Sequence, residues 1–279
     1  MTWSGTISPV LAGSLLAAKE EVFRYELMVL LLIAALFVQS GVNMFNDYFD
    51  FQNGQDKERW CKAQTASLSN YPFHHHVPYV ATGLIATAAL LGLWLAVLVG
   101  WWVAFVGLFG ITAGIAYSAG RHSLASHGLG EATAALFLGI ATTLLGYSVQ
   151  TQRINLPVIF VGLIFALLIS SMVLTNNIRD IEKDVGFRRT LAMRLGRRNA
   201  IWLLKLLLGG AYVGAIILAG TAVVPMEVLV VLAALPIAIR IPRSFHGKRQ
   251  EEQLVMKQAA WHHWAFGLLF GMGVFMGVW

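Results

Sequence analysis

The stretch LMVLLLIAALFVQSGVNMFNDYFDF, residues 27–51, joins two kinds of sequence that a soluble domain keeps apart. Its first part is an apolar run of the length needed to cross a hydrocarbon layer of about 30 Å. Its second part sets Asn43, Asp47 and Asp50 at i, i+4 and i+7. On a helix of 3.6 residues per turn those three share one face. Acids at the end of a membrane helix need water, a counter-charge or protons.

Similar apolar runs recur along the whole chain of 279 residues, which is 57% hydrophobic and 12% charged. A soluble domain carries about 25% charged residues. The chain is therefore read as one integral-membrane domain, residues 1–279, and as all-α: a polytopic bundle of about nine transmembrane helices around a central cavity open to lipid. The candidate spans are 4–18, 27–45, 78–99, 101–117, 129–149, 156–177, 201–220, 223–239 and 259–278. Turns are expected at Gly100 and between Gly220 and Pro225.

The basic residues test that count. With nine spans, 17 of the 20 Lys and Arg fall in loops on one side, leaving Lys19, Arg24 and Arg153 on the other. The positive-inside rule then puts the acid-bearing loops and the N-terminus in the cytoplasm. The formal charge of +6 reports this orientation and contact with lipid headgroups, not nucleic-acid binding. The single Cys61 cannot form an internal disulfide.

A second polar cluster, NNIRDIEKD at residues 176–184, ends the sixth span. Asn176, Asp180 and Asp184 are spaced i, i+4, i+8, so a continuous helix would carry them on one side. The amide-then-acid order repeats that of the first cluster, and both clusters follow spans that cross in the same direction. Either cluster alone fits a solvated helix end. Two on one side point to a shared site. Carboxylate and amide oxygens without His or Cys suit a hard divalent cation, and Mg²⁺ takes one or two carboxylates together with substrate phosphates.

At these motifs the chain resembles the UbiA superfamily of intramembrane aromatic prenyltransferases. The N-x-x-x-D motif reads Asn43 to Asp47, with Asp50 following, and the D-x-x-x-D motif reads Asp180 to Asp184. AYSAG at 116–120 and GLGE at 128–131 resemble the loop after the fourth span. NNIRDIEKDVGFRRTLAMRLGRR, from 176, resembles the branch that prenylates 1,4-dihydroxy-2-naphthoate in the menaquinone pathway.

The resemblance implies a Mg²⁺-dependent enzyme of the bacterial cell membrane. It would join a polyprenyl diphosphate to an aromatic acceptor, with loss of the acceptor's carboxyl group in the naphthoate branch. It implies that Asn43, Asp47, Asp50, Asp180 and Asp184 hold the metal, with Asp47 and Asp180 central to catalysis. Arg121, Arg179 and Lys183 are the candidates for the diphosphate oxygens. Asn46, Tyr117, Tyr147, Asn176 and Asn177 are the candidates for the substrate pocket, although a tyrosine near a span end also fits an interfacial anchor.

Other polar features read as packing or surface. The run His74–His76 and the pair His262–His263 read as residues at a membrane edge, Asp56 as a loop acid, and residues 245–258 as an amphipathic loop. An ion-coupled transporter is the rival class, but it would place acids near span midpoints. A phosphatidyl-alcohol transferase would carry a D-G-x-x-A-R signature, which is absent.

Overall fold

The computed structural model describes residues 3–52, 76–118, 123–247 and 249–278. Among these every regular element is helical and there is no strand. In hydrocarbon this is the expected outcome, because a helix satisfies its own backbone polar groups. Arg121, Cys61, Asp56, His74 and His75 lie outside the described residues.

Among the described residues five helices are long and apolar enough to span a membrane: Tyr25–Gln52, Val77–Val99, Gly130–Thr151, Leu156–Arg179 and Arg197–Gly220. We call them α2, α3, α5, α6 and α9. A shorter apolar helix, Trp102–Ser118 (α4), follows α3 across Gly100. Gly100 has φ +140°, a backbone that only glycine adopts freely, so the expected turn falls there.

The remaining candidate spans are less regular. Ser4–Ala17 (α1) has 14 residues. The 223–239 stretch is not one α-helix: Met226–Ala234 winds as a 3₁₀ helix and continues into the α-helix Leu235–Ser244 (α10). The last helix, Arg249–Val278 (α11), begins ten residues before the expected 259. Most of the segment read as an amphipathic loop is therefore the first turns of that helix.

Two short helices, Ile181–Asp184 (α7) and Leu191–Leu195 (α8), connect α6 to α9. The second motif is thus not on one continuous helix. α6 ends at Arg179, and Asp180 takes φ −97°, ψ 11° before α7 begins. The backbone bonds Asp180 N–H to Asn176 O (3.0 Å) and Asp184 N–H to Asp180 O (2.9 Å) keep the i, i+4 relation across the bend.

α6 is the central helix. It packs against α9, α11 and both halves of α5, while α3 lies outside against α2 and leaves Leu90, Trp94 and Val97 exposed. Those outward side chains face what a membrane protein gives to lipid. The larger core joins α1, α6, α9, α10 and α11. Phe165 meets Phe270 edge-on with ring centroids 5.3 Å apart, and Tyr212 meets Phe266 at 5.2 Å. α1 and α5 come close enough to require glycine: a Cβ on Gly146 would stand 2.6 Å from Val10 O. Small residues at helix crossings allow this approach in membranes.

His262 and His263 are not at an edge. They are 2% and 1% exposed, inside α11, and Tyr212 Oη lies 2.8 Å from His262 Nε2. The expectation failed because a His pair at the start of an apolar run looks interfacial in sequence, whereas α11 starts earlier, at Arg249, and carries it into the core.

Candidate active site

α2 runs without a break from Tyr25 to Gln52, so the first motif lies inside a helix rather than beyond it. Asn43, Asp47 and Asp50 therefore share a face. Asn46 Nδ2 donates to Asp50 Oδ2 at 3.3 Å. Asp47 is exposed, and Asn43, Asn46 and Asp50 are half-buried. Phe45, Phe49 and Tyr48 form an aromatic strip beside them, with Tyr48 and Phe49 edge-on at 5.6 Å.

The second motif brings its own counter-charge. Arg179 grips Asp180 with two bonds, Nε to Oδ1 at 2.7 Å and Nη2 to Oδ2 at 2.5 Å, and Nη2 also donates to Asn176 Oδ1 at 2.9 Å. Paired bonds of this kind are the strong form of an Arg–carboxylate contact. Arg179, expected on diphosphate, here holds Asp180 and Asn176. Lys183 is exposed and Asp184 is buried.

Arg188 joins the two motifs. Its Nη2 donates to Asp50 Oδ1, and both side chains are 15% exposed. Asp184 lies within electrostatic reach of Arg188, Asp180, Lys183 and Asp50. Burial pushes the Asp184 carboxyl above the usual carboxylate range, and Arg188 pulls it partly back. Burial opposes the Arg188 charge, but the ion pair and hydrogen bond with Asp50, with Asp184 behind, raise its pKa above the usual value. The acids at the two helix ends are thus balanced by arginines from the second motif's own segment.

A third element closes on this cluster. Arg189 N–H donates to Ser126 O at 3.0 Å, tying the segment after α7 to the turn before α5. That turn uses Gly128 at φ +71° and delivers Glu131 into the first turn of α5. Glu131 is 5% exposed. Its Oε1 accepts from Asn177 Nδ2 at 2.8 Å, and its backbone carbonyl accepts from Ser170 Oγ at 3.2 Å. Tyr117, at the end of α4, sits within electrostatic reach of Glu131, Arg188 and Asp50.

Tyr147 is elsewhere. It donates to Glu20 and accepts from Asn155 Nδ2 at 3.3 Å, and its helix neighbour Gln150 bonds the backbone of Arg24. Asn155 precedes α6 and Asp180 follows it. Those 24 residues put Tyr147 about 36 Å from the acids along the helix. The nine-span reading itself already puts the end of the fifth span, and Tyr147 with it, on the side opposite the acid-bearing loops.

Arg188 and Glu131 were missed as site residues. Arg188 follows Asp184 by four residues, the same step that links Asp180 to Asp184, and that step was the signal. Glu131 is an acid just inside an apolar run.

Among the described residues no three His, Cys, Asp or Glu side chains gather around one point. The carboxylates instead approach in ones and twos from two helix ends. That arrangement fits Mg²⁺ better than a cation needing a full protein cage, since Mg²⁺ completes its shell with water and phosphate oxygens.

Comparisons with known proteins show the family and the fold. The model of the UbiA prenyltransferase family matches residues 6–264. The 1,4-dihydroxy-2-naphthoate octaprenyltransferase of Bacillus subtilis (strain 168) is 29% identical over 276 residues, 98% of this chain and 89% of that protein. The protein of the same name from Mycobacterium leprae is 30% identical over 258 residues, 91% of this chain and 85% of that one. A UbiA homologue from Aeropyrum pernix K1 superposes with TM-score 0.73 at 14% identity, covering 97% of both chains. A UbiA homologue from Archaeoglobus fulgidus, solved bound to GPP and Mg²⁺, gives TM-score 0.59 at 13% identity over 96% of both.

Proposed function

The chain belongs to the UbiA prenyltransferase family and is a membrane-embedded prenyltransferase; from that premise we propose that it transfers a polyprenyl group from polyprenyl diphosphate to 1,4-dihydroxy-2-naphthoate. The acceptor is supported by relatives of that named activity aligned over nearly the whole chain. The observation that carries the site is the contact of Arg188 with Asp50, which closes the two acid-bearing helix ends on each other.

Asp47, Asp50, Asp180 and Asp184, with Asn43, are the residues to hold Mg²⁺. The metal, when bound, supplies Lewis-acid neutralisation of the leaving diphosphate. The chain's own part is positioning. Arg188 and Arg179 offset the repulsion between the carboxylates they hold, and with Lys183, and Arg121 outside the described residues, they are the cations to take up diphosphate oxygens as charge develops. The C1–O bond of the prenyl diphosphate breaks with its electron pair on oxygen. The ring carbon bearing the carboxyl group bonds to prenyl C1, and that carboxyl group leaves as CO₂.

We place all nine candidate stretches across a bacterial cell membrane as a single domain around a lipid-open chamber, with the acid-bearing ends cytoplasmic. The charge asymmetry of the loops supports this orientation.

The test is a panel of acceptors given to membranes containing the protein with a polyprenyl diphosphate. The panel is 1,4-dihydroxy-2-naphthoate, 4-hydroxybenzoate and a non-aromatic alcohol, each with Mg²⁺ and with EDTA. A prenylated, decarboxylated product from the naphthoate alone, and only with Mg²⁺, is expected. Product from the benzoate instead, or product undiminished in EDTA, overturns the reading.

A further inference from the structure

Glu131 is the buried acid that the reaction scheme leaves unused. One carboxylate oxygen is held by Asn177 at 2.8 Å, while Oε2 is buried with no hydrogen-bond partner among the described residues. A native fold rarely leaves a charged-group oxygen unpaired, and each such atom calls for a reason. Here the surroundings are specific. Asn177 adjoins Asn176, which Arg179 holds together with Asp180. Tyr117 lies within electrostatic reach of Glu131, Arg188 and Asp50. A Cβ placed on Gly130 would lie 3.4 Å from the Tyr117 hydroxyl. The carboxylate that carries the free oxygen is therefore linked to the second motif through Asn177, and through Tyr117 it lies in the same electrostatic neighbourhood as Asp50 of the first.

The chemistry of that oxygen selects its ligand. Glu131 occupies the first turn of α5, where the helix end favours a negative charge. A carboxylate accepts hydrogen bonds and cannot donate them. Diphosphate and the acceptor's own carboxylate are anions and are repelled. A ring hydroxyl is neutral, donates, and belongs to the acceptor. We propose that Glu131 is the acceptor-binding subsite, its free oxygen receiving the O–H of a hydroxyl on the aromatic ring. This deepens the prenyl-transfer reading above and rests on it. Glu131 thereby orients the ring, and its hydrogen bond raises the electron density that the ring carbon offers to prenyl C1. Asn177 is a positioning residue, fixing which oxygen is left for the substrate.

The experiment pairs two variants with two ligands. Glu131→Gln keeps an oxygen for Asn177 and replaces the free oxygen by a donor. Glu131→Ala removes both. The detergent-solubilised protein is titrated with 1,4-dihydroxy-2-naphthoate and with 2-naphthoate, which lacks both hydroxyls, and steady-state kinetics are measured in membranes. The wild type should bind the dihydroxylated ligand about tenfold or more tightly than 2-naphthoate, the size of a hydrogen bond to a charged group. Both variants should lose that preference and raise the acceptor KM about tenfold, leaving the prenyl diphosphate KM within about twofold. Variants that keep the preference overturn the subsite. A parallel rise in both KM values, with the preference intact, makes Glu131 a structural residue only and also overturns it. Wild-type turnover of 4-hydroxybenzoate in place of the naphthoate defeats the proposed reaction instead, and is read from the acceptor panel without any Glu131 variant.

Discussion

Arg188 donates to Asp50 across 138 residues of sequence, and so ties the helix end of α2 to the segment that follows α7. The pair is mostly buried on both sides. Breaking a buried pair by removing one partner leaves an uncompensated charge and costs about 3–5 kcal/mol. Arg188→Ala should lower thermal stability in detergent and cut prenyl transfer about a hundredfold, the usual loss of one preorganised cation in a charged site. Arg188→Ala combined with Asp50→Ala should be less destabilised than the two single changes added together. Strict additivity in that double-mutant cycle would show that the contact carries no energy.

Asp47 and Asp180 stand on opposite motifs, and each is expected to touch metal. Asp47→Asn and Asp180→Asn keep size and remove charge. Each should lower turnover about a hundredfold or more and raise the Mg²⁺ concentration needed for half-maximal rate. Asp180→Asn has a second effect, since Arg179 loses its bidentate partner. Full activity in both variants would end the metal assignment.

The apolar runs and the i, i+4 faces were readable because they are local. A span needs only composition, and the α2 motif needs only helical spacing. The bend at Asp180 was hidden because it turns on one residue's φ and ψ. The Arg188–Asp50 contact was hidden because its partners are far apart in sequence and the acids offered several cations to choose from. Glu131 gave only a faint signal, one carboxylate at the start of an apolar stretch, where a helix N-terminus already accounts for an acid. The irregular winding of 226–234 escaped because hydropathy reports burial in lipid and not the pitch of the helix.

Asp184 sets a pH dependence. Burial raises its folded-state pKa above the ordinary carboxylate value. Between those two values the folded protein holds a proton that the unfolded chain has released, so stability falls as pH rises through that window. Metal-free protein in EDTA, melted at a series of pH values from about 4 to about 7, should show this slope. Asp184→Asn should flatten it. Arg188→Ala removes the cation that lowers Asp184, and should extend the falling limb to higher pH. An unchanged slope in Asp184→Asn would assign it to another group.

Tyr147 joins Glu20 and Asn155 at the end of the bundle away from the acids. Tyr147→Phe deletes the hydroxyl and leaves the ring. Stability should fall by about 0.5–1.5 kcal/mol, because a hydrogen bond is lost while exposed Glu20 and half-buried Asn155 can turn to water. The KM values of both substrates should stay within about twofold. A selective rise in acceptor KM would return this tyrosine to the substrate pocket.

Gly146 marks the crossing of α1 and α5. A Cβ there would meet Val10 O at 2.6 Å and Ser14 N at 3.1 Å, both backbone atoms that cannot rotate away. Ser14 Oγ also donates to Gly146 O at 3.2 Å, so separating the helices breaks that bond. Gly83, inside α3, is the opposite case: a Cβ added there would have nothing within 4 Å. Gly→Ala in an unobstructed helix stabilises by about 1 kcal/mol, and overpacking costs about 1–3 kcal/mol. The two substitutions should therefore move the melting temperature in opposite directions, Gly83→Ala upward and Gly146→Ala downward. Because α1 and α5 meet far from Asp50 and Asp180, folded Gly146→Ala protein should keep its KM for prenyl diphosphate. A neutral Gly146→Ala would mean that α1 slides freely on α5, and the close crossing would have no part in holding the bundle.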